Sequence, residues 1–240
     1  RISLLLITGL VISLVAGCGT VLPVPVPISV AEGSSIGESG TAAQEVEERI
    51  ESEHGGATPE EAIEAYMLGI IEGNLQAVFD AAGRRDIASK FVFVRYVQRL
   101  RALPVYQALM PTDEALEVDL NTTRAESQTA TQVMNLAWTL LAGDRVDLER
   151  GIVAPVDSAW AEDVAEVLEM SRLGDIELQS IAPPDEELMA TDRYLETAQA
   201  TAEMYGADEY TERVATFTFE DKEYLLGFQL LRYGDTWYVL

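Results

Sequence analysis

The side chains that most often carry chemistry are scarce in this chain of 240 residues. It has one cysteine, Cys18, and one histidine, His54, and both precede residue 58. The rest of the chain therefore lacks a thiol nucleophile, a histidine for a Ser-His-Asp triad and the soft ligands of a metal site. With 41 acidic residues, close carboxylate pairs will arise by chance and carry little information. The sequence predicts no catalytic residue, no metal site and no cofactor.

The balance of charge excludes one class of partner. There are 16 Lys and Arg residues against 41 Asp and Glu, which gives a formal net charge of -25. A nucleic-acid-binding surface must be positive to displace counterions from phosphate, so we expect no nucleic-acid partner. The favoured interpretation of the acidity is solubility, and the alternative is a cationic partner.

An apolar segment, ISLLLITGLVISLVAG, runs from Ile2 to Gly17 behind the charged Arg1. A charged start, an apolar run and small residues at its end are typical of a secretory signal peptide. As a helix it would be about 24 Å long, shorter than the roughly 30 Å hydrocarbon core of a bilayer. We therefore predict a signal peptide over residues 1–17, with a membrane-spanning helix as the alternative.

The end of that segment, Val15-Ala16-Gly17-Cys18, resembles the lipobox of bacterial lipoprotein signal peptides. The resemblance implies that signal peptidase recognises the first three residues and cleaves before Cys18. It also implies diacylglyceryl on the sulfur and a further acyl chain, such as palmitate, on the freed amine. Two or more acyl chains hold a protein durably at a bilayer. The expected location is the outer, extracytoplasmic side of the cell membrane, with the lipid bilayer as a partner through Cys18.

Residues 18–57 are predicted to form a disordered tether behind the lipid. Proline alternates with branched apolar residues from Leu22 to Pro27, which favours an extended spacer. Gly, Ser and acidic residues follow, and such a stretch buries too little apolar surface to fold. We interpret His54 as a solvent residue, because a metal site needs converging partners.

Residues 58–240 are predicted to form a single globular α+β domain, mainly helical over 58–174. Thr58-Pro59-Glu60-Glu61 begins a helix with a capping residue, an early proline and a capping-box glutamate. Further helices are predicted over residues 86–102, from a capping box at Thr123–Glu126 to Gly143, and from Asp157 to Gly174.

Residues 175–240 are predicted to be rich in strands, with one helix. A strand around Ile176–Ile181 ends before two prolines, and a helix over Thr191–Tyr205 stops at Gly206. Val214–Phe219 and Tyr224–Leu230 alternate apolar and polar residues and are joined as a hairpin. Trp237–Leu240 forms the last predicted strand.

Six basic residues fall in the short segment from 84 to 101. Arg84, Arg85, Arg95 and Arg99 are the candidates for contact with anionic lipid or an anionic partner. The favoured alternative is pairing within the molecule, because the surplus of carboxylates supplies many nearby acids.

The capped Thr-Pro-Glu-Glu helix, the Gly73-Asn74 hinge and the end of the chain, Arg232–Val239, together resemble NTF2-like (cystatin-like α+β) domains of bacterial lipoproteins. The resemblance covers the first helical pair and the strand-rich end, and the helical middle, residues 84–172, departs from it. It implies a curved antiparallel sheet wrapped around helices and a cone-shaped pocket. Enzymes of this family usually place Asp with His, or Tyr with Asp, in that pocket.

Two hypotheses for function follow. The favoured one is a non-catalytic binding or interaction domain for an unknown small molecule or envelope protein. Phe217, Phe219 and Trp237 are its candidate pocket or sheet-face aromatics, unless they are plain core. The alternative is an NTF2-like enzyme that uses a carboxylate base on a small molecule. A cavity that holds an Asp or Glu beside a Tyr would favour the enzyme.

Overall fold

The computed structural model describes residues 55–101, 109–142 and 158–240, together with the backbone of Leu6–Ile7. The lipobox residues Val15, Ala16, Gly17 and Cys18 lie outside the described residues, as do His54 and almost all of the predicted tether. The described residues from 55 onward belong to one compact unit. No helix in this described part combines the length and the apolar character needed to cross a bilayer.

The architecture is α+β, as the sequence predicts. The helices are α1 Pro59–Ile71, α2 Leu75–Ala81, α3 Arg84–Lys90, α4 Phe93–Leu100, α5 Ala115–Ala137, α6 Ser158–Val167, α7 Glu186–Met189 and α8 Asp192–Tyr205. A π-helical turn, Trp138–Ala142, extends α5, and a 3-10 turn, Met170–Asp175, follows α6.

The strands are β1 Leu6–Ile7, β2 Glu177–Ala182, β3 Glu209–Phe219, β4 Lys222–Tyr233 and β5 Thr236–Val239. They form one sheet in the order β1-β4-β3-β2, and β5 also pairs with β4. The β2–β3, β3–β4 and β4–β5 pairs are antiparallel, and β1 pairs with β4 in parallel.

The predicted start of α1 is confirmed. The Thr58 hydroxyl accepts a hydrogen bond from the Glu61 N–H at 3.1 Å, and the Glu61 carboxylate accepts one from the Ala57 N–H at 2.8 Å. The first bond satisfies a backbone donor that the first turn of the helix leaves unpaired, and the second holds the residue before the N-cap. α1 then buries one apolar face that includes Ile63 and Met67, both fully buried.

The helix predicted over residues 86–102 is wrong as a single element, because it is divided into α3 and α4. Phe91 lies between them in an extended conformation, with φ -60° and ψ 132°. Its ring is buried against Tyr96 and Tyr205, at centroid distances of 5.2 and 6.0 Å. The Val92 N–H donates to the Met204 carbonyl at 2.9 Å. These tertiary contacts replace the helical hydrogen bonds that a continuous helix would make.

The capping box predicted at Thr123–Glu126 is also wrong, because these residues lie inside α5. The helix begins earlier, where the Glu114 N–H donates to the Glu117 carboxylate at 3.1 Å. Asn121 lies within the helix and is buried. Its amide accepts from the Met110 N–H at 2.8 Å and donates to the Met110 carbonyl at 2.9 Å. The side chain thus holds the segment before the helix by a two-bond pairing.

Gly174 and Gly143 were the predicted ends of two helices. α6 ends at Val167, and Gly174 lies in the following 3-10 turn, so the prediction that Gly174 ends the helix is wrong. Gly143, the predicted end of the helix before it, lies outside the described residues.

The strand-rich end follows the prediction closely. Gly206 ends α8 with a left-handed φ of 63°, and Glu220 and Asp221 form a two-residue hairpin turn with φ values of 48° and 61°. β3 begins at Glu209, earlier than the predicted Val214. Its antiparallel pairing with β4 continues from Phe219 opposite Lys222 to Glu209 opposite Arg232.

Two apolar clusters hold the fold together. The first core joins α1, α2, the end of α5 and the sheet, and includes Met67, Leu141 and Phe217. The second core joins α3 and α8 to the start of β3, the end of β4 and β5. It consists of Ile87, Ala198, Ala202, Tyr210, Leu231, Tyr233 and Tyr238. Leu230 belongs to the first core and Leu231 to the second, because successive side chains of a strand point to opposite faces.

Candidate functional site

The candidate sheet-face aromatics lie in the first core. Phe217 and Phe219 are each 1% exposed and Trp237 is 7% exposed. The Phe217 ring stacks on Tyr224, with a centroid distance of 5.5 Å and an interplanar angle of 16°. All three rings are therefore core residues, which was the alternative to a pocket or sheet-face role. None of them lines either of the two clefts described below.

Arg84 corrects the prediction of a basic surface. It is 7% exposed, and its Nε has no hydrogen-bond partner among the described residues. Burial lowers the pKa of its guanidinium, while Tyr66, Tyr205 and Glu126 act in the opposite direction. Arg84 begins α3 directly after Gly83, which has a left-handed backbone and lies close against the Tyr238 ring.

The other candidate arginines remain on the surface. Arg85 pairs with Asp119 at 3.2 Å, and Arg95 lies 3.8 Å from Glu203. Arg99 is exposed. Two of the three thus have an acidic neighbour, in line with the favoured expectation of pairing within the molecule.

The larger cleft lies between α8 and the first residues of β3, and we call it the α8–β3 cleft. β2 pairs with β3 only as far as Val214, so residues 209–213 face α8 along an edge that no strand of the described sheet covers. The cleft has a volume of about 540 Å³. It is lined by Met189, Tyr194, Leu195, Ala198, Gln199, Ala202, Glu203, Ala207, Asp208, Glu209, Tyr210 and Thr211.

Two phenols dominate the polar chemistry of this cleft. The Tyr210 hydroxyl donates to Glu212 Oε1 at 2.5 Å, and burial together with that bond raises the pKa of Tyr210. Burial, with the Glu212 charge as the next cause, raises the pKa of Tyr194 to about 12. The Tyr194 hydroxyl is shielded from solvent, and contacts from the Thr211 side chain and the Glu212 backbone partly offset the rise in its pKa.

The charged side chains that line the cleft are all acidic. Asp208 Oδ2 accepts from the Gly234 N–H at 2.7 Å, and Glu209 accepts from Arg232 Nε at 3.1 Å. Glu203 accepts from the Gln199 amide at 3.1 Å on the same helix. Each of the three carboxylates is thus held by a hydrogen bond to a neighbouring group.

The upward direction of both pKa shifts agrees with hydrogen-bond donation by these phenols. A phenol whose pKa is raised stays protonated near neutral pH, so it donates hydrogen bonds but is a poor nucleophile and a poor base. The arrangement is suited to recognising a bound molecule. The feature that would favour the enzyme is a cavity that holds an Asp or Glu beside a Tyr. Tyr210 lines the cleft, but its hydrogen-bond partner Glu212 is not among the lining residues.

A second cleft lies between α1 and β2 and has a volume of about 190 Å³. Ligand pockets are usually about 300–1,000 Å³, so this cleft is small for an organic ligand. One of its lining residues, Glu60, is already held by Arg213 Nε at 2.6 Å. Within the described ranges, no group of three or more His, Cys, Asp and Glu side chains could hold a metal ion.

The sequence reasoning missed the residues of the α8–β3 cleft. It predicted a helix over Thr191–Tyr205, but assigned no packing partner to that helix. It began β3 at Val214 and so left Tyr210 and Glu212 outside the strand. The signal that could have included them is the run Tyr210-Thr211-Glu212-Arg213, in which bulky and β-branched residues continue toward the strand.

Comparisons with known proteins agree on fold alone. No protein-family model and no curated protein matches the chain. Among solved structures, the crystal structure of a cystatin-like protein from Ruminococcus gnavus is similar, with a TM-score of 0.52 and 16% identity. The match covers 74% of this chain and 38% of that chain, so this chain spans well under half of its neighbour's length. At this identity the likeness shows the fold, which is consistent with the cystatin-like, NTF2-like α+β class.

Proposed function

We propose that this protein is a lipoprotein anchored to the outer face of the cell membrane through Cys18, and that its α+β domain binds a ligand without transforming it. The α8–β3 cleft is the binding site in this proposal. The observation that supports it is an open cleft of about 540 Å³ that is lined by apolar side chains of α8 and by the phenols of Tyr194 and Tyr210. Such a cleft lies within the usual size range of small-molecule sites.

The binding function is tested by filling the cleft from an exposed position. Gln199 is exposed and lines the cleft, whereas Ala200, its neighbour on α8, is exposed and does not line it. We expect Gln199→Trp to occupy the cleft without disturbing either core, and Ala200→Trp to leave it open. Native mass spectrometry of the full chain, purified from membranes, should detect a bound small molecule on the wild type and on Ala200→Trp but not on Gln199→Trp. Equal occupancy in all three proteins, or none in any, would contradict the assignment.

The anchor is tested separately. We expect Cys18→Ser to move the protein from the membrane fraction to the soluble fraction, because a hydroxyl cannot receive the thioether-linked diacylglyceryl group. Two acyl chains would otherwise hold the protein durably. Sedimentation and mass spectrometry of the N-terminal peptide provide the measurement. Unchanged sedimentation of Cys18→Ser, with no fatty acyl group on the wild-type peptide, would refute the lipoprotein assignment.

One observation favours the alternative of an enzyme with a carboxylate base. Glu212 is half-buried, and its carboxylate lies 2.5 Å from the hydroxyl of Tyr210, which lines the cleft. In that case the wild type should convert a component of a metabolite mixture, and Glu212→Gln should not. Product formation of this kind, followed by mass spectrometry, would replace the binding function with a catalytic one.

A further inference from the structure

We propose that Arg84, Tyr66 and Tyr205 together bind a small inorganic anion, similar in size to chloride, inside the fold. None of these residues lines the α8–β3 cleft or the second cleft, so the site is separate from the proposed ligand-binding site and does not depend on it. The proposal follows from a buried charge without a partner, from two phenols that can donate hydrogen bonds, and from a local excess of positive charge.

Arg84 carries the buried charge. The residue is 7% exposed, and its guanidinium makes no hydrogen bond and no ion pair with any other described residue. A guanidinium has five N–H donors and no acceptor, and buried donors of this kind are normally matched by acceptors. A buried charge without such a partner is costly, and a bound counterion removes much of that cost.

Two phenols lie near the same guanidinium. Tyr66 of α1 and Tyr205 of α8 are the two groups that, after burial itself, most affect the pKa of Arg84. Burial raises the pKa of both phenols, so near neutral pH they are protonated and carry no negative charge that could pair with Arg84. Neither hydroxyl makes a hydrogen bond with another described residue. Each can therefore donate one hydrogen bond to an anion that Arg84 holds.

The surrounding charges favour an anion over a neutral molecule. Arg99 of α4 is a second cation that, like Arg84, acts against the rise in the pKa of Tyr205. Glu126 of α5 is the carboxylate that acts on Arg84 among the described residues, and its influence is smaller than that of either phenol. Two cations against one carboxylate that forms no ion pair with Arg84 leave a positive potential, which burial strengthens. Because protein encloses Arg84 and Tyr66 almost completely, a small ion is favoured over a large organic anion.

The test follows thermal unfolding of the full chain while sodium chloride replaces sodium gluconate at a constant ionic strength of about 0.2 M. Gluconate is too large for an enclosed site, so it controls for general screening of the net charge of -25. We expect chloride to give a saturable rise of about 2 °C or more in the wild-type Tm, because an ion that binds the folded state stabilises it. The concentration dependence of the rise gives the dissociation constant for chloride.

Two pairs of variants locate the site. Arg84→Met should abolish the saturable rise, whereas Arg85→Met, which removes an exposed arginine one residue further along α3, should retain it. Any difference in Tm between Arg84→Met and the wild type should therefore shift in favour of the wild type as chloride is added. Tyr66→Phe keeps the ring in the first core and removes one donor, so the dissociation constant should rise by about threefold or more. Its control is Tyr224→Phe, which changes a tyrosine packed against the same core and should leave the constant unchanged.

Three results would overturn the inference. They are a wild-type Tm that does not rise with chloride, a saturable rise of the same size in Arg84→Met, and an unchanged dissociation constant in Tyr66→Phe. If Arg84→Met fails to fold, the comparison of Tyr66→Phe with Tyr224→Phe decides the question alone, because both substitutions keep the buried ring. The occupancy of the α8–β3 cleft, measured with Gln199→Trp, is independent of all these results.

Discussion

Phe217→Ala is expected to lower the free energy of unfolding by about 4 kcal/mol, the cost of removing a large buried ring and leaving a cavity. The side chain is 1% exposed in the first core and stacks on Tyr224, its partner across the β3–β4 pair. Neighbouring elements on both sides are paired or packed, so the site has little freedom to collapse into the space. Chemical denaturation of the full chain, followed by tyrosine and tryptophan fluorescence, measures the change.

Val94→Ala is the matched surface control, because Val94 is 63% exposed, and its effect should stay within about 0.5 kcal/mol. The comparison also separates two interpretations of Phe217 that the sequence left open. A ring that lined a ligand pocket would cost little stability when truncated and would affect binding. A loss below about 1 kcal/mol for Phe217→Ala would therefore contradict its place in the core.

Arg84→Met is expected to raise the free energy of unfolding by about 1–3 kcal/mol. The guanidinium is desolvated on burial, and its Nε finds no partner among the described residues. Glu126 and the phenols of Tyr66 and Tyr205 compensate the charge only in part, because burial remains the largest influence on the pKa of Arg84 and lowers it. Methionine retains the length of the chain and much of its apolar contact but removes the charge that must be desolvated.

The adjacent residue provides the control. The Arg85 side chain is 73% exposed and its pair with Asp119 is equally open to water, so Arg85→Met should change stability by no more than about 0.5 kcal/mol. Thermal and denaturant unfolding of the two variants can be compared directly with the wild type. Destabilisation by Arg84→Met beyond about 2 kcal/mol would contradict this expectation, because it would mean that interactions in the folded protein fully compensate the desolvation of the guanidinium.

Because Arg84 and the three candidate aromatic residues are buried, they cannot form the binding surfaces that the sequence suggested. The sequence directed attention to the sheet face of the first core and to a basic surface. In the structure that sheet face is filled, and the basic segment is divided between a buried arginine and paired surface arginines. The larger open space lies instead between α8 and the start of β3, beyond the point at which the β2–β3 pairing ends.

The local elements could be predicted where a short run of residues determines them. The residues from Ala57 to Glu61 alone form the hydrogen bonds of the helix cap at Thr58. The turn at Glu220–Asp221 could be located because the segments on both sides of it alternate apolar and polar residues. The hypothesis of a lipid anchor at Cys18 likewise rests on adjacent residues alone. Charge, composition and the single cysteine restrict the chemistry in the same way, because they require no knowledge of neighbours in space.

Tertiary contacts decided the remainder. Phe91 interrupts a helical pattern, and its ring packs against Tyr96 and Tyr205. A buried Asn121 is accommodated within a helix because the Met110 backbone supplies both of its hydrogen-bond partners. Burial of Arg84, and the meeting of Tyr194 with Glu212, depend on how helices pack onto a sheet far away in sequence. A local pattern fixes hydrogen bonds between neighbours in the chain, whereas burial and the pKa of a side chain depend on groups that only the folded chain brings together.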